Sequence, residues 1–425
     1  MKLFHPAPFK EALQNRLRGH LVEHGLLFAA AQAGLVEEFG GVERGEPLVC
    51  PIHGQAEAAV EAAAAMARGV RRVVPDAEVV EVPMSDGGEG FTEAVAASLG
   101  ARIRHVETID ALGRPVTGRL ALGGDSGGTA VLEMASAAGL ELIGREMRDV
   151  RASDTRGVGR MIRAVLDARA DRLLLGIGGS ATNDGGAGML AELGVRFLDR
   201  AGRAIGTSPR ELEALARVDA SGLDPRLKGL RIDVACDVDN PLLGERGASA
   251  VFGPQKGASE QDVGYLDAVL ARWARLSGHG DLVERAGAGA AGGLGFALMA
   301  FLDARLEPGI DLVVRTVGLM QAVTGADLVL TGEGSVDAQT LAGKTPAGVA
   351  GAAARQGVPT VVVAGRVRPD GDVLLAAGCV AVISTSQGET ANLAEVLRAA
   401  PENAERAAAT VMRLWTHRPG PARDR

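Results

Sequence analysis

The residues of this 425-residue chain that could do chemistry are carboxylates, hydroxyls and a few lysines set among glycines. The fullest set lies in LLLGIGGSATNDGGAGMLAEL, from Leu173 to Leu193. An apolar run, Leu173 to Ile177, breaks at Gly178-Gly179, crosses Ser180, Thr182, Asn183, Asp184, Gly185 and Gly186, and resumes as a helical pattern from Ala187. A strand, a glycine loop and a helix in that order let a ligand approach the main chain, while the first helical turn offers unpaired N–H groups to an anion. Asp184 would repel a phosphate unless a metal or a reacting hydroxyl stood between them. It is therefore a candidate base or magnesium ligand, although Asn183 and Asp184 equally suit helix capping.

Other loops carry related residues. MSDGGEG, Met84 to Gly90, places Asp86 and Glu89 between a strand and a helix. DVDNPL, Asp237 to Leu242, sets Asp237, Asp239 and Asn240 at the carboxyl end of a strand, where α/β sheets bind substrates and where a turn would use the same residues. TGEGSVDAQT, Thr331 to Thr340, supplies Glu333 and Asp337. Only five of the 45 basic residues are lysines, and two of these, Lys256 in FGPQKGAS and Lys344 in GKTPAGVA, lie in glycine-containing loops. In a chain that otherwise uses arginine, a compact ammonium suits a phosphate. AQTLAGKT, Ala338 to Thr345, nearly satisfies a P-loop, but seven residues separate it from the preceding strand, and a P-loop must follow its strand directly. In GAGAAGGLGFALMAFL, from Gly287, tight helix packing explains the glycines as well as ligand contact does.

The elements that must position these loops alternate between strand and helix. Residues 8 to 39 read as one helical pattern, so 1–46 is taken as a helical N-terminal extension. Leu48 to Pro51 reads as a short strand, Ala56 to Ala67 as a helix and Ala77 to Val82 as a strand; residues 101 to 143 turn to β-type segments, and alternation returns from Gly309. Asn392 to Trp415 reads as helix and the last ten residues, 416–425, as a disordered tail. With 425 residues, more than one core is expected. The net charge of −8, the 3% aromatic content and the lack of a basic stripe argue against nucleic-acid binding. Three scattered cysteines give neither a disulfide framework nor a zinc pattern, and no apolar run reaches the length of a membrane span. A soluble cytoplasmic protein with no membrane partner is expected; oligomeric state is open, a homodimer among the options.

Taken in order, SDGGEG at Ser85, GIGGSATNDGGAGML at Gly176, ACDVDNPL at Ala235, GASAVFGPQKGA at Gly247, GAGAAGGLG at Gly287, TGEGSVDAQT at Thr331 and GKTPAGVA at Gly343 resemble the type I glycerate kinases. The resemblance runs from about Ala56 to Leu414. It implies transfer of the γ-phosphoryl group of ATP to a hydroxyl of glycerate, commonly the 2-hydroxyl, with Mg2+. It also implies two α/β domains with the active site in the cleft: a flavodoxin-like one from both chain ends, here 47–84 and 308–415, and an inserted mixed α/β one, here 85–307. Carried onto this chain, the catalytic candidates are Asp184, Asp86, Asp237 and Lys256. The nucleotide candidates are Gly178, Gly179, Ser180, Thr182, Asn183, Glu333 and Lys344, the metal candidates Asp237 and Asp239, and the acceptor candidates His53, Gln55, Asn240 and Asp337.

One departure stands out. Where the family has a first strand and a loop reading A-P-D-S-F-K-G-S, the segment before the Ala56 helix is Cys50-Pro51-Ile52-His53-Gly54-Gln55, while Phe9-Lys10 faintly echoes the family start. Either the loop is replaced at 50–55, or residues 14–46 are an insertion after a degraded copy of the family start; replacement is favoured, because Leu48 to Gln55 is correctly spaced from the helix. It leaves two alternatives to a glycerate kinase: the same transfer to another small hydroxy acid, or an inactive nucleotide- or metabolite-binding protein.

Overall fold

The computed structural model describes residues 26–31, 55–85, 88, 90–123, 128–338, 340, 345–386 and 393–417. Its strands are, in chain order, β1 (Leu26–Ala31), β2 (Val79–Met84), β3 (Arg102–Ile109), β4 (Pro115–Gly123), β5 (Thr129–Glu133), β6 (Arg172–Gly176), β7 (Arg196–Leu198) and β8 (Arg217–Asp219). There follow β9 (Arg231–Ala235), β10 (Arg305–Glu307), β11 (Leu328–Gly332), β12 (Ser335–Val336), β13 (Thr360–Ala364), β14 (Arg366–Val367) and β15 (Cys379–Ser384).

Apolar runs in the terminal parts of the chain build a five-stranded, all-parallel sheet in the order β2-β1-β11-β13-β15. Counted along the chain this is 2-1-3-4-5, the flavodoxin-like order, which reverses between β1 and β11. Alternation along each strand divides its side chains between two faces. Leu328, Leu330, Val361 and Val363 pack with Met66 and Val70 of the Gln55–Arg71 helix and with Ala408 and Met412 of the Leu393–Thr416 helix. Val329, on the opposite face, packs with Val349 and Ala353 of the Thr345–Arg355 helix.

The strand at the centre of this sheet corrects the sequence reading. Leu26–Ala31, LLFAAA, falls inside the pattern read as helix but is a strand paired on both sides, Ala30 opposite Gly332 on one and Pro83 on the other. Six apolar residues without polar interruption carry no period, and Leu and Ala favour a helix in isolation; pairing in the sheet decides the matter. Leu48 to Pro51 lies outside the described residues, so the expected strand there has no counterpart among them. The strand beside β11 and β2 is β1, and residues 32–54, which follow it in the chain, lie outside the described residues.

Residues 102–307 build the second sheet, in the order β10-β9-β6-β5-β4-β3. β5, β6, β9 and β10 are parallel and end level, with Glu133 opposite Gly176, Gly176 opposite Ala235 and Ala235 opposite Glu307. One face, with Leu132, Leu175 and Val234, is covered by Met161 of the Arg156–Asp167 helix, Trp273 of the Glu260–Ser277 helix and Phe296 of the Ala290–Leu302 helix. The other face contributes Ala121, Val131, Leu174 and Ala235 to a core shared with Val82, Met84 and Val329 of the first sheet. Between the two sheets lie the Phe91–Leu99 and Gly309–Thr316 helices, which contribute Phe91, Val95, Ile310 and Val313 to that core.

Candidate active site

The loop after β6 leaves the sheet at its carboxyl edge. Its crest, Gly178-Gly179, is open to solvent, whereas Ser180, Thr182, Asn183 and Asp184 are buried. Asp184 is fully enclosed and accepts four hydrogen bonds: Oδ2 from Thr155 N at 2.9 Å, Thr155 Oγ1 at 2.7 Å and Gly188 N at 2.9 Å, and Oδ1 from Gly186 N at 3.2 Å. Thr155 Oγ1 in turn accepts from Met189 N at 2.9 Å. Asp184 thus ties the start of the Ala187–Glu192 helix to the start of the Arg156–Asp167 helix, an arrangement that fits a capping role. Burial first, then the nearby charge of Asp154, pushes its carboxyl up to about 6, against the hydrogen bonds from Gly188 and Thr155.

Lys256 sits under the same loop, in the short turn Pro254–Lys256 closed by Gly257. Its ammonium position is sealed from water, with Nζ 2.6 Å from Ser180 Oγ and 2.7 Å from the Thr182 carbonyl. Burial lowers its pKa to about 7, opposed by Asp184. Asn183 donates through Nδ2 to Ser249 Oγ at 3.0 Å, while the Thr182 hydroxyl and the Asn183 side-chain oxygen are buried without a hydrogen-bond partner. Loop and lysine therefore form one closed unit of polar groups.

The Gly287 segment backs this unit by close packing. Ala291, Gly292 and Gly293 all adopt left-handed backbone, with φ of 52°, 67° and 88°. A Cβ on Gly292 would lie 1.9 Å from the Thr182 carbonyl oxygen, and Gly185 N donates to the Gly292 carbonyl at 3.0 Å. Trp273 Nε1 donates to the Gly185 carbonyl at 3.0 Å from the other side.

The first sheet presents its own group at the carboxyl end of β11, beside the reversal of strand order. Buried Glu333 accepts from Thr340 Oγ1 at 2.6 Å, and Asp337 N donates to that same hydroxyl at 3.2 Å. Thr331 and Thr345 bury hydroxyls near the end of the strand and the start of the next helix. Asp86, Glu89, Lys344 and His53 lie outside the described residues, and Gln55 begins the Gln55–Arg71 helix.

The two sheets are stitched at two carboxylates. Glu133, at the end of β5, accepts from Phe91 N at 2.9 Å and from Arg119 Nη2 at 3.2 Å, which fixes the outlet of the SDGGEG loop. Asp237, after β9, accepts from Gly309 N at 2.7 Å at the start of the helix leading back to the first sheet. Asp239 is exposed and pairs with Arg246 at 3.3 Å; Asn240 donates to the Arg246 carbonyl at 2.8 Å. Asp237 and Asp239 are hard oxygen donors, the type with which magnesium is held when one or two carboxylates act beside substrate phosphates. No group of three or more His, Cys, Asp or Glu side chains able to hold a metal exists among the described residues.

Sequence reading thus found Asp184, Lys256, Ser180, Thr182 and Asn183, which meet, while Glu333 and Asp337 belong to a group on the other sheet. It missed Thr155, Glu133, Ser249 and Trp273. The run Ser153-Asp154-Thr155 before a helical pattern was the signal available for Thr155.

The sequence profile of the glycerate kinase family matches residues 54–416. A glycerate kinase of Bacillus subtilis is 46% identical over 339 residues, 78% of this chain and 87% of that protein. A glycerate 2-kinase of Escherichia coli is 45% identical over 358 residues, 83% of this chain and 93% of its own. The crystal structure of a Salmonella typhimurium LT2 protein assigned as glycerate kinase 2 superimposes with a TM-score of 0.78 at 40% identity, covering 92% of this chain and 98% of that one. No helix among the described residues is long and apolar enough to cross a membrane. With the profile spanning most of its length and the loops in family order, this chain belongs to the glycerate kinase family.

Proposed function

We propose that this chain is an ATP-dependent kinase that transfers the γ-phosphoryl group to glycerate, at the 2-hydroxyl, in the reducing cytoplasm. The observation that carries the reading is the similarity to glycerate kinases across nearly the whole chain, glycine loops included. It favours neither another acceptor nor an inactive binding protein. The sequence argument for another acceptor treated residues 50–55 as the loop after the first strand; residues 50–54 lie outside the described residues.

Phosphoryl transfer depends on positioning and charge neutralisation. The reading assigns the nucleotide to Gly178, Gly179, Ser180, Thr182, Asn183, Glu333 and Lys344, and the acceptor to Asn240 and Asp337, with Asp86 beside the reacting groups. Asp184 acts by shaping its loop. Asp237 and Asp239 would hold Mg2+, which when bound offsets the charge of the transferring phosphate. The domain division follows the sheets: 85–307 as the insert, and 47–84 with 308–415, now joined by β1, as the flavodoxin-like part. A steady-state assay with ATP, magnesium and a panel of hydroxy acids tests the function. D-Glycerate should be used with kcat/KM of about 10⁴ M⁻¹s⁻¹ or above, and a clear preference for another acid would overturn the assignment.

A further inference from the structure

If the enzyme phosphorylates glycerate, some group must take the proton of the attacking hydroxyl, and the enclosed Asp184, its two oxygens engaged by four donors, is poorly placed to do so. The titratable group beneath this loop is Lys256, 2.6 Å from Ser180 Oγ. Resting on that kinase reading, we propose that Ser180 and Lys256 form a proton-accepting dyad, in which the Ser180 hydroxyl takes the acceptor's proton and passes its own to Lys256 Nζ.

The surroundings fit a lysine that changes charge. Its two hydrogen-bond partners, the Ser180 hydroxyl and the Thr182 carbonyl, are both neutral. An amine satisfies both, donating to the carbonyl and accepting from the hydroxyl through its lone pair; an ammonium donates to both. Both charge states are therefore accommodated without moving a heavy atom, only the Ser180 hydroxyl hydrogen turning. Charged groups near it are Asp184, with Asp154 behind, and Arg148, whose guanidinium donates to the Gln255 carbonyl at 2.9 Å. Burial outweighs Asp184 and brings the lysine near neutrality, in the range useful for a base. Ser180, itself buried, follows directly on Gly178, which is half-buried, and Gly179, which is exposed, and the substrate is taken to lie on that side of the loop.

In the step, the acceptor O–H bond breaks and its oxygen bonds Pγ, while the bond from Pγ to the bridging oxygen breaks and ADP leaves with that electron pair. The acceptor's proton moves to Ser180 Oγ, the Ser180 proton to Lys256 Nζ, and the amine becomes an ammonium. Ser180 is thus a catalytic residue, and Lys256 a positioning residue acting through it.

The pH dependence of kcat with saturating ATP and glycerate tests the dyad. The parent should lose activity on the acid side with a midpoint near the lysine's value of about 7. Lys256→Arg keeps the positive charge but cannot accept a proton, so kcat should fall about 100-fold or more, with the acid limb gone and the KM for ATP nearly unchanged. Ser180→Ala should lose kcat and the acid limb to the same extent and, because Ser180 is also assigned to the nucleotide, raise the KM for ATP; Ser180→Thr should recover most of the kcat. If Lys256→Arg does not fold, the Ser180 pair decides. Folded variants within about threefold of the parent kcat, or with its acid limb intact, would overturn the dyad. A parent inactive toward glycerate and every other hydroxy acid would instead overturn the kinase reading, and the dyad with it.

Discussion

Glu133 holds the outlet of the SDGGEG loop with one oxygen and Arg119 with the other, and it does so from a buried position. Burial, then the charge of Glu93, pushes its carboxyl up to about 7, with Arg119 pulling the other way. The folded protein therefore binds a proton at Glu133 that the unfolded chain has released between about 4.5 and 7. The stability linked to this proton is fully present below the unfolded value and is lost as pH rises through 7. Glu133→Gln keeps an acceptor for Phe91 N and carries no charge at any pH. Its melting temperature relative to the parent should therefore rise between pH 5 and pH 8, by an amount reflecting up to about 3 kcal/mol. A difference that stays flat or falls would mean that Arg119 keeps the carboxylate ionised. At this scale the sequence shows which residue types do chemistry but not what they touch. Asp184 reads as base, magnesium ligand or cap, and nothing in the sequence shows that Thr155, 29 residues away, donates to it twice or that Glu133 meets Phe91 across 42 residues.

Among the elements, the strand–glycine loop–helix units were the most legible, because loss of apolar period at a glycine pair marks a boundary directly. The Gly287 segment was legible as glycine-rich and silent about why. Its left-handed turn exists because the chain there passes against the main chain of the Thr182 loop. Ala291 is the exception in that turn, an L-residue at φ 52°. Such a conformation costs about 1–2 kcal/mol, more than the roughly 0.5–1 kcal/mol that glycine loses in backbone freedom. Ala291→Gly should therefore be neutral or raise the melting temperature slightly, with kcat retained. Gly292→Ala is the opposite case, since its Cβ would lie 1.9 Å from the Thr182 carbonyl oxygen, on backbone that cannot turn aside. It should destabilise by a few kcal/mol, as overpacking of a closed site does, and depress kcat with it. An unchanged Gly292→Ala protein would mean that the loop is free to shift and is not braced by this turn.

Across the whole molecule, the parallel strands of each sheet send their loops out at carboxyl ends, and the chain passes between the sheets at Phe91 and Gly309, both fastened there. The mixed second sheet could be foreseen from its alternating segments, and the flavodoxin-like order only through a family resemblance. The central strand could not be foreseen, because LLFAAA owes its conformation to neighbours about 50 and 300 residues further along the chain. That strand decides whether the N-terminal 46 residues are an appendage or a part of the core. Without β1, β2 and β11 would each expose a row of unpaired N–H and C=O groups in the middle of the sheet, and the reversal of strand order beside Glu333 would be lost. A chain beginning at Pro47 should therefore be insoluble or melt without a cooperative transition. In the full chain, Phe28→Pro removes an N–H from a strand paired on both sides, at a cost of at least about 1–3 kcal/mol. It should lower the melting temperature by several degrees, while a proline placed before Leu26 should not. A soluble, cooperatively melting and active protein starting at Pro47 would show that another segment can take the central place, and would return residues 1–46 to the status of an extension.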